Sequence, residues 1–196
     1  MSNAEILSAA AHEAGHFVFA ASQQQTPDCL AMEWNAARSF WQGKTQLPSI
    51  GHLSLEVQFP ILFGFSFSGC FAQVKHAMEL LDSEATVPWS DVCRWVEREP
   101  RKPLELPLRR GQTFVVPTAW FDERDADTFQ HNAGVAMYGL PDWESYEKYL
   151  VQACRLAVDV MEDASSWDKI ERLAVKLASS IRQQRAMLES AAAWPR

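Results

Sequence analysis

The first residues able to do chemistry stand close to the N-terminus, in the stretch His12-Glu13-Ala14-Gly15-His16. Their pattern is H-E-x-x-H. On a helix, residues four apart project from one face, so two imidazoles in this spacing can bite one zinc ion, with the glutamate beside them as general base. With His12 at zero and 100° per residue, His16 lies at about 40° and Glu13 at about 100°. All three fall within roughly one quadrant of the helix. A catalytic zinc site takes three protein ligands and keeps a fourth position for water. The chemistry expected is hydrolysis: the metal acidifies a water toward a pKa of about 7, and Glu13 takes its proton as a carbonyl is attacked.

The motif needs a helix, and the flanking residues supply one. Ala9, Ala10, Ala11, Ala20 and Ala21 favour helix, and Ser2 or Asn3 can cap it. Ile6, Leu7, Ala14, Val18 and Ala21 recur at three and four and face a core. Gly15 allows a neighbouring helix or strand to approach closely. The helix runs to about Ser22, where Gln23-Gln24-Gln25-Thr26-Pro27-Asp28 breaks it.

Beyond it, Cys29–Trp34 and Ser39–Thr45 read as short strands. His52–Phe59 alternates apolar and polar residues and reads as a third. Leu53, Leu55 and Val57 would then lie on an edge strand able to pair with an extended peptide substrate. Phe59–Phe67 is strongly apolar, and Gly69–Leu81 reads as a buried helix. The stretch Asp82–Thr118 holds a short helix, Ser90–Arg98, then Pro100, Pro103, Pro107 and Pro117. That proline density predicts a long ordered loop or lid without regular structure. Arg101, Lys102, Arg109 and Arg110 make it locally basic, a docking place for an anionic partner or simply a solvated face. From Asp122 the chain reads as three helical segments, Asp122–Met137, Asp142–Met161 and Ser166–Leu188.

Composition bounds the class. The 196 residues are 47% hydrophobic and 22% charged, as in an ordinary globular domain with a real core. A net charge of −7 argues against nucleic acid or an anionic membrane surface as the main partner. No apolar run approaches the roughly 18 residues of a spanning helix, and no secretory leader is evident. Cys29, Cys70, Cys93 and Cys154 are widely spaced with no C-x-x-C pair, which fits reduced, individually buried thiols in a cytoplasmic protein. Eight tryptophans are read first as core and interface packing. His52 and His76 are expected to be packed or surface residues.

Placed among small residues and followed by Phe17-Val18, the H-E-A-G-H stretch resembles the zinc helix of the FtsH-type membrane proteases and of their stand-alone relatives without the ATPase. Phe67-Ser68-Gly69-Cys70-Phe71-Ala72-Gln73 is similar to that family's Ala-Gly-x-x-Ala-Glu helix start, with Gln73 in place of the acid. Ala153-Cys154-Arg155-Leu156-Ala157 and Trp167–Ala174 are similar to its closing helix pair. Neither a membrane anchor nor a Gly-rich nucleotide loop accompanies them.

The resemblance implies an α+β fold: a mainly helical zincin-like domain with a small β-sheet after the zinc helix. It would be a single domain over 1–196, interrupted by the Pro-rich basic insertion at about 82–118. It implies Zn2+ as cofactor, Glu13 as catalytic base, and peptide or unfolded protein as substrate. The family's third ligand is an aspartate in an Asp-x-x-x-Ala setting. Aligning Ala153 and Ala157 with the spaced alanines puts Tyr149 there, a poor ligand. Aligning the preceding helix instead brings forward Asp127, with Asp125 and Asp142 as alternatives and His131 as another nitrogen donor. Aspartates at a helix start also suit its dipole without any metal. The alternative reading of the whole chain is a non-catalytic zincin-fold module that binds a partner protein.

Overall fold

A computed structural model describes residues 3–35, 40–98, 103–108, 111–116 and 143–192. Among these, five helices and two hairpins follow in the order α1 (Asn3–Ser22), β1 (Cys29–Asn35), β2 (Phe40–Gln46), α2 (Leu55–Leu81), α3 (Trp89–Arg98), β3 (Leu104–Pro107), β4 (Thr113–Val116), α4 (Trp143–Glu162) and α5 (Ala164–Ala192). The class is α+β and mainly helical, as the sequence reading has it. The zinc-motif helix and the two strands after it stand within a residue or two of their expected bounds.

The organising element is α2. Nearly every residue from Phe59 to Val74 is buried, so this helix is apolar on all sides and occupies the centre of the fold. It packs against α1 on one side and α4 on another, while α5 closes over α1. Phe19 of α1 and Phe59, Phe63 and Phe71 of α2 are the largest side chains fully enclosed. By length and mean hydropathy (1.3) α2 is apolar enough to cross a membrane, yet 78% of that window lies buried inside the fold.

Gly15 does what its position predicts. A Cβ there would fall 2.5 Å from the Ser68 carbonyl oxygen and 2.6 Å from the Ala72 Cβ, so α1 and α2 touch through their backbones. On the neighbouring turn Phe19 enters the gap left by Gly64, where a Cβ would lie 2.3 Å from its ring.

Two sequence expectations are corrected. The third strand, His52–Phe59, does not form: residues 51–53 are a turn and the segment from Leu55 is the start of α2. Leu53, Leu55 and Val57 therefore form no edge strand. Leu55 and Val57 are both 46% exposed, so their alternation marks no buried sheet face. The helix is nucleated by the apolar run after it and extends back cooperatively past Pro60, which stands in its second turn and leaves the Glu56 carbonyl without its helical N–H donor.

The second correction concerns Asp82–Thr118. In place of an irregular loop there is α3, which fills the expected Ser90–Arg98, and an antiparallel hairpin pairing Leu104 with Val116 and Pro107 with Thr113. The prolines punctuate these elements. Pro88 precedes α3 and its carbonyl accepts from the Asp91 and Val92 amides, while Pro103 and Pro107 bracket β3. Leu104, Leu106 and Val116 carry the hairpin into the core. Arg101, Lys102, Arg109 and Arg110 lie outside the described residues, as does the helix expected over 122–137.

The closing helices match expectation. Asp163 separates them and caps α5 by accepting from the Ser166 amide at 2.8 Å; hydrogen bonds from the Ser166 side chain and amide hold its carboxyl below the usual range. None of the four cysteines forms a disulfide. Cys70 and Cys154 are buried, whereas Cys29 and Cys93 are only partly so.

Candidate metal centre

His12, Glu13 and His16 come from consecutive turns of α1 and point toward α2 and β2. Their potential ligand atoms all lie within 4.8 Å of one another, the sole such group among the described residues. His12 is 8% exposed, Glu13 9% and His16 3%, so the site is enclosed by protein rather than displayed on a surface.

Facing stripes on two antiparallel helices build it. On α1 the stripe is Ser8, His12 and His16; on α2 it is Phe65, Gly69 and Gln73, also four apart. His16 Nδ1 donates to the Phe65 carbonyl oxygen at 2.6 Å. His12 Nδ1 donates to Gln73 Oε1 at 3.1 Å, and Gln73 Nε2 donates in turn to Ser8 Oγ at 3.1 Å. The His16 ring also stacks on Phe65, with centroids 4.6 Å apart and planes at 24°.

These bonds decide the tautomers. A carbonyl oxygen only accepts, so each Nδ1 carries its proton, and in the neutral rings each Nε2 presents a lone pair. The two Nε2 atoms face each other at 3.0 Å. Two lone pairs at that separation repel unless a cation or an added proton lies between them. Zinc bonded to two imidazoles at 2.0–2.1 Å in tetrahedral geometry separates the nitrogens by about 3.3 Å. The observed pair is close to that spacing before any adjustment.

Gly69 supplies the space. A Cβ built on it would lie 2.5 Å from His16 Nε2 and 2.8 Å from His12 Nε2, so its missing side chain keeps open the volume in front of both nitrogens. The donor set and the open cradle fit a borderline-soft divalent ion such as zinc. Each ligand's other nitrogen is also held by an acceptor, the arrangement that orients metal-binding histidines.

Glu13 turns to the other side, onto β2. Thr45 Oγ1 donates to Glu13 Oε2 at 2.7 Å. Oε1 lies against Gly43, where a Cβ would come within 1.8 Å of it. The β1–β2 hairpin, in which Met32 pairs with Gly43 and Leu30 with Thr45, thus clamps the carboxylate beside the histidine pair.

Asp127, Asp125, Asp142 and His131 lie outside the described residues. Tyr149 is buried on α4 with its ring 6.0 Å from that of Phe59, in a packing role. Sequence reading overlooked Ser8, Gly43, Thr45 and Phe65, and it noticed Gly69 and Gln73 only through a family likeness. The spacing of Phe65, Gly69 and Gln73 was a usable signal, because it matches the spacing of Ser8, His12 and His16.

A second polar cluster lies along α2, away from the histidine pair. Lys75 Nζ donates to the Met161 carbonyl oxygen at 2.6 Å and sits 4.3 Å from the Trp167 ring, whose Nε1 donates to Glu79 Oε2 at 3.1 Å. Burial lowers the Lys75 ammonium and raises the Glu79 carboxyl from their ordinary values. Lys75 thereby caps the C-terminal end of α4 and fastens α2 to the α4–α5 junction.

No protein-family model, curated protein or solved structure matches this chain.

Proposed function

We propose that this chain is a zinc-dependent metallopeptidase-like enzyme that hydrolyses peptide bonds in exposed or unfolded segments. The observation that carries the reading is the opposed Nε2 pair of His12 and His16, 3.0 Å apart, with both Nδ1 atoms committed to oxygens on α2. His12 and His16 are two of the ligands. Asp127 is the third on this reading, with Asp125 and Asp142 as the alternatives. Zinc held there would supply Lewis acidity, acidifying water and stabilising negative charge on a carbonyl oxygen.

The chain's own groups supply the rest. Glu13 accepts the proton of the attacking water and delivers it to the leaving amine. Thr45 fixes which way the carboxylate points by donating to Oε2. Gln73 and the Phe65 carbonyl hold the two imidazoles in the ligating tautomer. The burial of the site excludes bulk water and strengthens each of these interactions.

Two observations favour a second reading, a non-catalytic zincin-fold module that binds a partner protein. Glu13 is already bonded to Thr45 and packed against Gly43, and Gln73 stands where the resembling family has an acid. Untagged protein separates the two. Elemental analysis should give about one zinc per chain for wild type and for Glu13→Gln, and little for His16→Ala. Hydrolysis of a labelled, unfolded protein should disappear in Glu13→Gln. Activity surviving Glu13→Gln removes the mechanism, and zinc without any hydrolysis favours the binding module.

A further inference from the structure

A cleft of about 350 Å³ lies between the C-terminal half of α1 and the first turns of α5. It is independent of the histidine pair and of any metal chemistry. Phe17, Val18, Ala21 and Leu173 give it an apolar lining, and Lys169 and Lys176 line it as well. That volume sits at the lower end of small-molecule sites, which run from roughly 300 to 1,000 Å³.

The charges in the lining are the informative feature. Arg172 also reaches the cleft, but it is spent on Asp168, with Nη2 2.9 Å from Oδ2. Neither Lys169 nor Lys176 has a carboxylate within ion-pair distance among the described residues. Lys169 acts at longer range on the Asp163 carboxyl, which it helps to hold low. Seven residues apart, the two lysines stand about 10.5 Å apart along α5 and flank Leu173. In a protein of net charge −7, two ammonium groups without an ion pair among the described residues, beside an apolar lining, form a local exception.

From this we infer that the α1–α5 cleft binds a small amphipathic carboxylate, an acyl chain of medium length whose carboxylate is met by Lys169 and Lys176. The apolar chain lies on Phe17, Val18, Ala21 and Leu173, and the head stays at the two lysines. A neutral head would leave the ammonium groups unanswered, and a cationic one would be repelled. The ligand would bridge α1 and α5.

The test is calorimetric titration of the full chain with decanoate, decan-1-ol and decylammonium, each below its micellar concentration. The expected result is one saturable decanoate site, with the alcohol at least about tenfold weaker and the amine weaker still. Lys169→Glu with Lys176→Glu should weaken decanoate at least about tenfold. Ala21→Trp, which places a bulky ring in the cleft, should abolish binding while circular dichroism shows the helices intact. Equal binding of acid and alcohol, decanoate binding unchanged by either variant, or no saturable site would each overturn the inference.

Discussion

Gly69 stands directly beneath His16: a methyl built on its Cα would lie 2.5 Å from His16 Nε2 and 2.8 Å from His12 Nε2. One missing side chain on α2 therefore governs whether anything can sit in front of two nitrogens on α1. On the proposed zinc reading, Gly69→Ala should lower the metal content to near zero. The colliding atoms are ring ends that can turn aside, and alanine favours helix by roughly 1 kcal/mol over glycine, so the fold should survive. Elemental analysis together with circular dichroism checks this. Stoichiometric zinc in a folded Gly69→Ala protein would show that the ion does not use this cradle.

Gln73 orients His12 without itself being a ligand. Replacing it with leucine leaves His12 Nδ1–H without its acceptor and frees the ring to adopt the other tautomer. Zinc affinity should fall about 10- to 100-fold, as for other outer-shell partners of metal histidines. Gln73→Glu should restore or exceed wild-type affinity, because a charged acceptor raises the basicity of the ligand. Competition with a zinc-binding dye measures both. Leucine and glutamate variants of equal affinity would contradict the role.

Gly15 tests the contact between the helices rather than the metal. Its virtual Cβ meets a backbone oxygen, Ser68 O at 2.5 Å, which cannot turn aside as a side chain does. Gly15→Ala should destabilise by about 1–3 kcal/mol despite the gain in helix propensity. Urea unfolding of metal-free protein reads the difference. An unchanged or higher midpoint would mean the helices separate at little cost.

His76 gives a pH signature. Its Nε2 is buried without a hydrogen-bond partner among the described residues, and burial holds its imidazole below the ordinary 6.5 against the opposing pull of Glu171. The folded state keeps it neutral while the unfolded chain takes up a proton once the pH drops below 6.5. Stability from this group is complete above that value and is lost as pH falls toward the lower folded pKa. The stability of His76→Leu relative to wild type should therefore improve between about pH 7.5 and 5.5, as measured by urea unfolding at both. A pH-independent difference would contradict the account.

The sequence alone determined the helix that carries the motif. Alanine-rich flanks, an apolar stripe at helical spacing and the four-residue step between His12 and His16 are all local, and local information fixes a helical face. It likewise determined the two strands after α1 and the pair of closing helices, whose periodicity or turn residues lie within a few positions. It misread 52–59 because a short alternation resembles a strand until the apolar run behind it is allowed to extend a helix backwards. It misreads 82–118 because dense prolines signal broken structure, whereas Pro88, Pro103 and Pro107 stand at the ends of elements.

Only the tertiary structure decided what faces the histidines. Phe65, Gly69 and Gln73 are some fifty to sixty residues from His12 and His16, and nothing local to either stretch states that the two stripes oppose each other. That pairing follows from Gly15, which brings the two backbones together, and from the buried length of α2, which fixes their register. The hydrogen bonds that assign both tautomers exist only after this packing. A motif names ligands from neighbours in sequence; the lone pairs, the cradle and the clamp on Glu13 are properties of neighbours in space.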